Sequence, residues 1–419
     1  MFDEFLYVNK SPTSLSYPKN KISVLLLENI HNEAVSLFEK EGYSVEYYQK
    51  SLPEEELIKK IQKISILGIR SRTQINENVL SHARHLLSIG VFGIGINNID
   101  IGQTAQKGIA VFNAPYSSTR SVVELTIGEM LMLSRKVFEK SMKLHEGIWD
   151  KSTHGCHEVK GKTLGIIGYG NIGSQVGILA EALGMKVLFY DIADKPIFGN
   201  AQKVNLLQNL LRKSDIITVH VDGNPKNKNF IGEKEFKIMK KGVLFLNGSR
   251  GFVVDIKPLV KYLKSGKIEG AALDVFPKEP RGNDEKFVSE LQHLPNVILT
   301  PHIGGASEEG QKNIANFVPN KIIDYINTGN TYLSVSIPNI QLPQQGNTHR
   351  LLHLHNNVPG ILAQTNNVFA KHNMNVVGQY LKTDELIGYS ITDVETKYDR
   401  DVLDVLKKIP NTIRFRVLY

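Results

Sequence analysis

The stretch LGIIGYGNIG, from Leu164 to Gly173, decides the fold of the central part of this 419-residue chain. Its apolar residues predict a buried strand, and its glycines fit the GxGxxG pattern of a turn that leads from a strand into a helix. An apolar stripe at helical spacing continues to Gly184, and a second apolar strand ends at Asp191. Strand, glycine turn, helix and second strand in this order predict a Rossmann-type unit of an α/β protein.

The glycine turn also predicts a dinucleotide site. Gly168 permits the tight turn, Gly170 lets the backbone approach a pyrophosphate, and Gly173 lets helix and strand pack closely. The carboxylate of Asp191 can accept hydrogen bonds from both ribose hydroxyls and repels a 2′-phosphate, which favours NAD over NADP. We therefore expect NAD as the cofactor, bound by Gly168, Tyr169, Gly170, Asn171, Ile172, Gly173, Asp191 and, at the end of a later strand, Asp274.

Composition excludes several classes of protein. Hydrophobic residues make up 41% and charged residues 22%, as in folded globular proteins. Cys156 is the single cysteine, so no intrachain disulfide can form and a reducing cytoplasm is the expected location. No apolar run is long enough to cross a membrane. The net charge is +8, but basic and acidic residues are mixed, so no nucleic-acid partner is expected. His154, Cys156 and His157 lie too close together to face one ion, and we expect no metal.

Polar residues that suit hydride chemistry follow three later apolar strands. A free histidine has a pKa of about 6.5, so His302 is a residue of the type that can take a hydroxyl proton near neutral pH. Glu279 is a candidate for the carboxylate that orients it, and the planar fork of Arg250 can hold a substrate carboxylate. Taken alone, composition and spacing favour a structural histidine, a surface glutamate and a surface arginine over a catalytic set.

Together these motifs make the chain similar to the D-isomer-specific 2-hydroxyacid dehydrogenases, from about residue 20 to the C-terminus. The resemblance implies that Arg250 holds the substrate carboxylate, that Glu279 supports the histidine and that His302 is the acid and base. The residues that carry it stand in the motifs 165–173, 249–251, 274–280 and 300–305, with 69–73, 112–115 and 119–125 in addition.

The resemblance also implies which residues contact the substrate. Arg70 and Ser71 follow the predicted strand 64–69, and guanidinium groups beside a hydroxyl suit a phosphate or a second carboxylate. Asn97 and Ser118 are placed in comparable loops, although Ser118 stands where the family form has asparagine. The implied reaction is the NAD-dependent oxidation of 3-phospho-D-glycerate. Reduction of 2-oxoglutarate or another 2-oxoacid, and a non-catalytic NAD-binding sensor, are the alternatives.

The predicted organisation is a doubly wound α/β chain with a different C-terminal tail. The resemblance implies a flavodoxin-like substrate-binding domain formed by residues 1–117 and 305–340, around a Rossmann-type NAD-binding domain of residues 118–304. Residues 120–147 are expected to form one long helix. The tail reads strand, helix, strand, strand, helix, strand, which is the ferredoxin-like order, and residues 345–419 resemble a regulatory ACT domain.

The ACT resemblance implies feedback inhibition by L-serine. His355, Asn357 and Asn375 are the expected serine-binding residues, shared between two paired tails, and a homotetramer is the expected assembly. The linker before this domain reads Gly346-Asn347, where the family form has two glycines. We therefore expect a stiffer hinge at this point.

Overall fold

The computed structural model describes residues 18–280, 285–343, 346–399 and 401–418. The described residues form two compact units, one within residues 1–114 and 314–419 and the other within residues 115–313. Among the described residues no helix is both long and apolar enough to cross a membrane. The three domain boundaries that the sequence suggests remain a prediction.

The N-terminal part of the first unit is a parallel five-stranded sheet. Its strand order is β2-β1-β3-β4-β5, the flavodoxin-like order that the family resemblance implies. Every residue of β3 and β4 is buried, as expected for central strands with helices on both faces. The strands are β1 (Ser23–Leu26), β2 (Ser44–Tyr47), β3 (Ile66–Ile69), β4 (Ser88–Val91) and β5 (Ala110–Phe112), and the helices are α1 (Asn32–Lys40), α2 (Glu54–Ile61), α3 (Glu77–Ser81) and α4 (Ile101–Gln106).

The second unit contains a parallel seven-stranded sheet in the order β12-β11-β10-β9-β6-β7-β8. The order reverses between β6 and β9, which is where a doubly wound sheet binds its ligand. The strands are β6 (Thr163–Ile167), β7 (Lys186–Tyr190), β8 (Gln202–Lys203), β9 (Ile216–Val219), β10 (Val243–Asn247), β11 (Ile268–Leu273) and β12 (Val297–Leu299). The helices are α5 (Thr119–Arg135), α6 (Val137–His145), α7 (Asn171–Ala182), α8 (Leu207–Lys213), α9 (Glu233–Ile238) and α10 (Ile256–Lys264).

The prediction of one helix over residues 120–147 is wrong. The helix is interrupted at Lys136, which adopts a left-handed conformation with φ of 52° between α5 and α6. Neither glycine nor proline marks this point in the sequence. At the end of α5 the Ser134 carbonyl accepts a hydrogen bond from the N–H of His157 at 2.7 Å, and the Lys136 ammonium group lies 3.9 Å from Glu269. Both partners lie outside the segment 120–147, so its local pattern does not report them.

The C-terminal tail confirms the predicted ferredoxin-like order. Helix α11 (Glu308–Thr328) precedes it, and its antiparallel sheet has the order β14-β15-β13-β16. Its elements are β13 (Thr348–Asn356), α12 (Ile361–Lys371), β14 (Val376–Thr383), β15 (Ile387–Glu395), α13 (Val402–Lys407) and β16 (Thr412–Leu418). Asn347 of the linker has φ of 59°, a left-handed conformation that asparagine tolerates nearly as glycine does.

Within the first unit, the tail sheet packs on the parallel-sheet region. Leu354 and Tyr389 share one buried core with Phe112 and Tyr325, and the Tyr389 hydroxyl donates to the Gly329 carbonyl at 2.6 Å. The two regions therefore fold against each other through a continuous apolar core.

Candidate active site

A histidine–carboxylate pair lies beyond the carboxyl ends of β11 and β12. His302 Nδ1 is 2.8 Å from Glu279 Oε2, and Glu279 Oε1 accepts a hydrogen bond from the backbone N–H of Phe276 at 3.0 Å. Since an ionised carboxylate only accepts, Nδ1 carries the proton of this bond. The other ring nitrogen, Nε2, is then the atom that exchanges a proton with a substrate.

The pKa values in this pair are tuned by the two partners. The hydrogen bond and the charge of Glu279 raise the pKa of His302, against the effects of burial and of Arg250. Burial acts to raise the pKa of Glu279, but the hydrogen bond and charge of His302 and the Phe276 N–H hold it below its usual value. The pair therefore favours a proton on the imidazole and a charged carboxylate.

Asp274 holds the loop that carries His302. Its buried carboxylate accepts hydrogen bonds from the Thr300 hydroxyl at 2.7 Å, from the N–H of Ile303 at 2.8 Å and from the N–H of Gly304 at 2.7 Å. His302 itself has φ of 54°, a conformation that costs free energy in a residue other than glycine. Asp274, expected as a cofactor contact, thus restrains the acid–base residue in the structure.

Arg250 reaches the same loops because Gly251 follows it. A Cβ atom on Gly251 would overlap the backbone of Phe276, so only glycine lets the two loops touch. Burial lowers the pKa of Arg250, against the charges of Glu279 and Asp222. The structure therefore brings Arg250, Glu279 and His302 together, as the sequence suggests, and places the charge of Asp222 beside them.

The glycine turn after β6 has the geometry that a pyrophosphate requires. Gly168 has φ of 90°, and a Cβ atom on it would lie 2.6 Å from the His220 carbonyl oxygen. A Cβ atom on Gly173 would overlap the Gly168 carbonyl oxygen, whereas one on Gly170 would meet no atom within 4 Å. No side chain caps the N-terminus of α7, so its N–H groups point to the open side of the turn. These residues fit NAD.

The other predicted cofactor residues act in different ways. Asp191 accepts hydrogen bonds from the N–H groups of Tyr169 at 2.8 Å and Ala193 at 2.9 Å, and this fixes its carboxylate beside the turn. The ring of Tyr169 is buried and stacks on Phe189 at 3.9 Å, so only its backbone faces the turn. Asn171 is exposed in the first turn of α7, and Ile172 packs on the core.

Sequence reasoning missed Glu129, a buried carboxyl group behind Asp274. Burial, followed by the charge of Asp274, raises the pKa of Glu129 to about 7, against a hydrogen bond from Thr300 at 3.4 Å. The helical spacing of the sequence could have revealed it. Glu129 lies one turn after Thr126 and directly before Met130, both of which are buried on the same side of α5. An acid on an apolar helix face marks a buried polar group.

The predicted substrate loop lies in the other unit, after β3. A second residue missed by sequence reasoning, Glu28, holds this loop. The Glu28 carboxylate accepts from the N–H of Arg72 at 2.9 Å, the N–H of Thr73 at 2.8 Å and the Thr73 hydroxyl at 2.6 Å. Asn98 Nδ2 donates to the carbonyls of Arg70 at 3.1 Å and Thr73 at 2.8 Å. Burial lowers the pKa of Arg70, against the charge of Glu28.

The remaining predicted substrate residues differ in exposure. Ser71 and Asn97 are exposed, on the loops that follow β3 and β4. Ser118 is buried in the second unit at the start of α5, and its hydroxyl is 3.2 Å from the position of a Cβ atom on Gly305. With Arg70, the predicted substrate residues therefore lie in both units. Their contacts with a substrate stay predictions.

The predicted serine residues lie at opposite ends of the tail sheet. His355 pairs with Gly388 on β15, and Asn357 donates from Nδ2 to the Asp384 carbonyl at 2.7 Å beside it. Asn375 bonds Glu395 at 2.8 Å, at the other end of β15. Gly388 and Val394 lie six positions apart on β15, and Val394 pairs with Val376, the residue after Asn375. At about 3.4 Å per residue this is roughly 20 Å. One chain therefore does not bring the three residues together.

Two regions of the chain match known families. Residues 127–304 match the NAD binding domain of the D-isomer specific 2-hydroxyacid dehydrogenases. Residues 351–414 match the AHAS small subunit-like ACT domain. The two matches correspond to the seven-stranded sheet with its turn and to the antiparallel tail.

Similar proteins extend over nearly the whole chain. A D-3-phosphoglycerate dehydrogenase of Dictyostelium discoideum is 46% identical over 408 residues, which is 97% of this chain and 100% of the relative. The D-3-phosphoglycerate dehydrogenase of Escherichia coli K12 is 46% identical over 97% of this chain and 99% of its own length. The structure of the D-lactate dehydrogenase of Aquifex aeolicus with NAD and lactic acid has a TM-score of 0.65 and 27% identity, and the match covers 75% of this chain and 99% of that one.

Proposed function

Because this chain belongs to the D-isomer-specific 2-hydroxyacid dehydrogenase family, we propose that it oxidises 3-phospho-D-glycerate to 3-phosphooxypyruvate with NAD, the first step of L-serine biosynthesis. The chain is an NAD-dependent oxidoreductase. The relatives named D-3-phosphoglycerate dehydrogenase support this substrate, since they match 97% of the chain. The structural observation that supports the chemistry is the 2.8 Å contact of His302 with Glu279, beside Arg250.

The proposed mechanism assigns one task to each of three side chains. Arg250 binds the substrate carboxylate through parallel N–H···O bonds. His302 takes the hydroxyl proton at Nε2, while its Nδ1–H keeps donating to Glu279. The charge of Glu279 stabilises the imidazolium that forms. When bound, NAD supplies the acceptor for the hydride; the turn at Gly168–Gly173 and the carboxylate of Asp191 would hold its pyrophosphate and ribose.

Arg70 and Ser71 are the proposed contacts of the substrate phosphate, with Asn97 on the neighbouring loop. A distal carboxylate could occupy the same position, which keeps reduction of 2-oxoglutarate as the alternative. The ratio of kcat/KM for 3-phosphooxypyruvate and 2-oxoglutarate, measured as NADH oxidation, decides between them. A higher value for 2-oxoglutarate would overturn the substrate assignment, and no turnover with either acid would favour an NAD-binding sensor.

A histidine variant tests the assigned acid and base. We expect His302→Asn to lower kcat by about 10²–10⁴-fold, the usual contribution of a positioned proton-transfer group. His293→Asn, an exposed histidine in the same unit that also has a positive φ, is the matched control and should keep full turnover. Full turnover by His302→Asn would refute the mechanism.

The proposal extends to feedback inhibition by L-serine at a site shared between two chains. His355 and Asn357 of one tail would face Asn375 of the second tail, because these groups lie at opposite ends of one sheet. His355→Ala and Asn375→Ala should each abolish inhibition. Their co-expression should restore it in part, since mixed pairs contain one intact site. Co-expressed variants that stay insensitive would exclude a shared site.

The assembly proposed for this chain is a homotetramer in the cytoplasm. Helix α6 and the loop after it expose a set of large apolar side chains, of which Trp149 is 75% exposed. Such a surface is typical of a subunit contact. Light scattering should give the mass of a tetramer for the wild-type chain and for Trp149→Phe. Trp149→Ala should give a smaller mass, because it removes the apolar side chain from the contact. A monomeric wild-type chain would exclude this assembly.

A further inference from the structure

A cavity of about 560 Å³ lies within the first unit, between the parallel-sheet region and the tail. The end of α3 with the loop after it and the end of α4 form one wall, and the start of β16 with the adjacent ends of β13 and β15 forms the other. The two regions approach closely beside it, since a Cβ atom on Gly108 would lie 3.1 Å from Cβ of Arg414. None of the residues assigned above to substrate, cofactor or serine lines the cavity.

The charges around the cavity have one sign. Arg84, Lys107 and Arg414 line it, and its lining contains no carboxylate. Within the part of the chain that the structure describes, none of these three cations forms an ion pair. Arg414 donates from Nη1 to the Leu86 carbonyl at 2.6 Å, which satisfies one of its five donors and leaves the charge uncompensated.

A second guanidinium on β16 strengthens this excess of positive charge. Arg416 lies two residues after Arg414, on the same face of the strand. Its Nη2 donates to the Ile326 carbonyl at 2.9 Å, and its buried Nη1 has no hydrogen-bond partner among the described residues. The Arg416 guanidinium carbon lies 5.1 Å from the centre of the Tyr325 ring, which stabilises the cation without neutralising its charge. Because buried cations are normally paired, the positive charge of the two arginines attracts an anion.

The uncharged polar residues of the cavity suit the same ligand. Ser81, Gln106, Asn356 and Thr412 also line the cavity. The hydroxyls of Ser81 and Thr412 are already bonded to the Asn78 carbonyl and to His353, so the side-chain amides of Gln106 and Asn356 are the donors available to a ligand. The volume falls in the range of about 300–1,000 Å³ that is usual for small-molecule sites. A phosphate group accepts several hydrogen bonds and matches the arginine fork.

We propose that this cavity binds a phosphate-bearing anion of metabolite size through Arg84, Lys107 and Arg414, and that the anion bridges the tail to the parallel-sheet region. Arg84 and Lys107 belong to one region and Arg414 to the other, so the ligand stabilises their contact. If serine changes this contact, serine and the anion alter each other's affinity by the same factor. The binding itself does not depend on which substrate the enzyme oxidises.

The test compares two double variants that remove the same number of charges from the same region. Arg84→Gln with Lys107→Gln removes two cavity cations, and Lys59→Gln with Lys63→Gln removes two exposed lysines of α2 and the residues after it. Binding of inorganic phosphate and of glycerol 3-phosphate is measured by calorimetry and by the rise in melting temperature. Loss of a bond to a charged group weakens binding by roughly tenfold or more for each cation.

We expect the cavity variant to lose one phosphate site per chain and the control to keep it, with turnover unchanged in both. Glycerol 3-phosphate binding alone would identify an organic phosphate, whereas equal binding of both probes would identify the phosphate group itself. An unchanged cavity variant, or equal losses in both variants, would overturn the proposal. Arg84→Lys with Lys107→Arg keeps the charges and should retain binding, which separates charge loss from misfolding. Turnover of 3-phosphooxypyruvate, measured in parallel, tests the active-site assignment independently.

Discussion

Replacing Glu28 by glutamine should weaken substrate binding without slowing the chemical step. The Glu28 carboxylate holds the loop after β3 through the N–H groups of Arg72 and Thr73 and the Thr73 hydroxyl. It is 7% exposed, so its carboxylate has little access to water in place of these three partners. Arg70, the proposed phosphate contact, precedes these residues on the same loop.

The size of the effect follows from these three hydrogen bonds. A glutamine side chain has the same size, and its oxygen can still accept from Thr73. Its NH₂ group then faces the N–H of Arg72, and two donors cannot form a hydrogen bond with each other. One charge-assisted bond is lost and the others become neutral, and a hydrogen bond to a charged group contributes about 1.5–3 kcal/mol. If the ordered conformation of the loop becomes less stable by about 2 kcal/mol, KM should rise by roughly thirtyfold.

Steady-state kinetics with 3-phosphooxypyruvate measures this effect. We expect KM to rise and kcat to stay unchanged for Glu28→Gln, because His302 and Arg250 lie in the other unit. Thr73→Val removes only the hydroxyl bond and should raise KM less, and Glu55→Gln, an exposed acid of α2, should change neither constant. An unchanged KM, or a fall in kcat alone, would refute the role of Glu28 in positioning the loop.

Three further predictions concern charged groups. Because Glu279 raises the pKa of His302, the protonated imidazole needed for reduction is lost only as pH rises through that raised value. Glu279→Gln should therefore shift the fall of kcat/KM for reduction to lower pH. An unshifted pH profile would contradict the pairing of the two side chains. Asp393 and Arg350 form an ion pair whose side chains are 6% and 3% exposed. Asp393→Ala should lower the free energy of unfolding, measured in urea, by about 3–5 kcal/mol, because it leaves a buried charge unpaired. A smaller loss in the double variant Asp393→Ala with Arg350→Leu would confirm this cause, and an equal loss would contradict it. Asp191→Asn should lower the preference for NADH over NADPH, measured as the ratio of their kcat/KM values, by roughly tenfold or more. The reason is that the Asp191 carboxylate repels the 2′-phosphate of NADPH, and a contact between like charges costs several kcal/mol. An unchanged ratio would exclude Asp191 as the discriminating group.

Several features followed from local sequence because local steric rules cause them. The run from Leu164 to Gly173 predicts strand, turn and helix, since only glycine permits the conformation at Gly168 and the contact at Gly173. Apolar strands alternating with helices predict parallel sheets with both faces covered, and the observed strand orders confirm this. The grouping of Arg250, Glu279 and His302 was predictable because the carboxyl ends of parallel strands meet at one edge.

Other features depend on residues far apart in the chain. Glu28 bonds residues 44 and 45 positions away, and no periodicity reports such a contact. The break at Lys136 and the position of Asn375 at the far end of the tail sheet also arise from packing between distant segments. The sequence by itself determined the order of strands and helices, the cofactor turn and the residues suited to proton transfer, because these depend on neighbours in the chain. Only the tertiary structure decided what holds the substrate loop and where uncompensated cations meet, because these depend on neighbours in space.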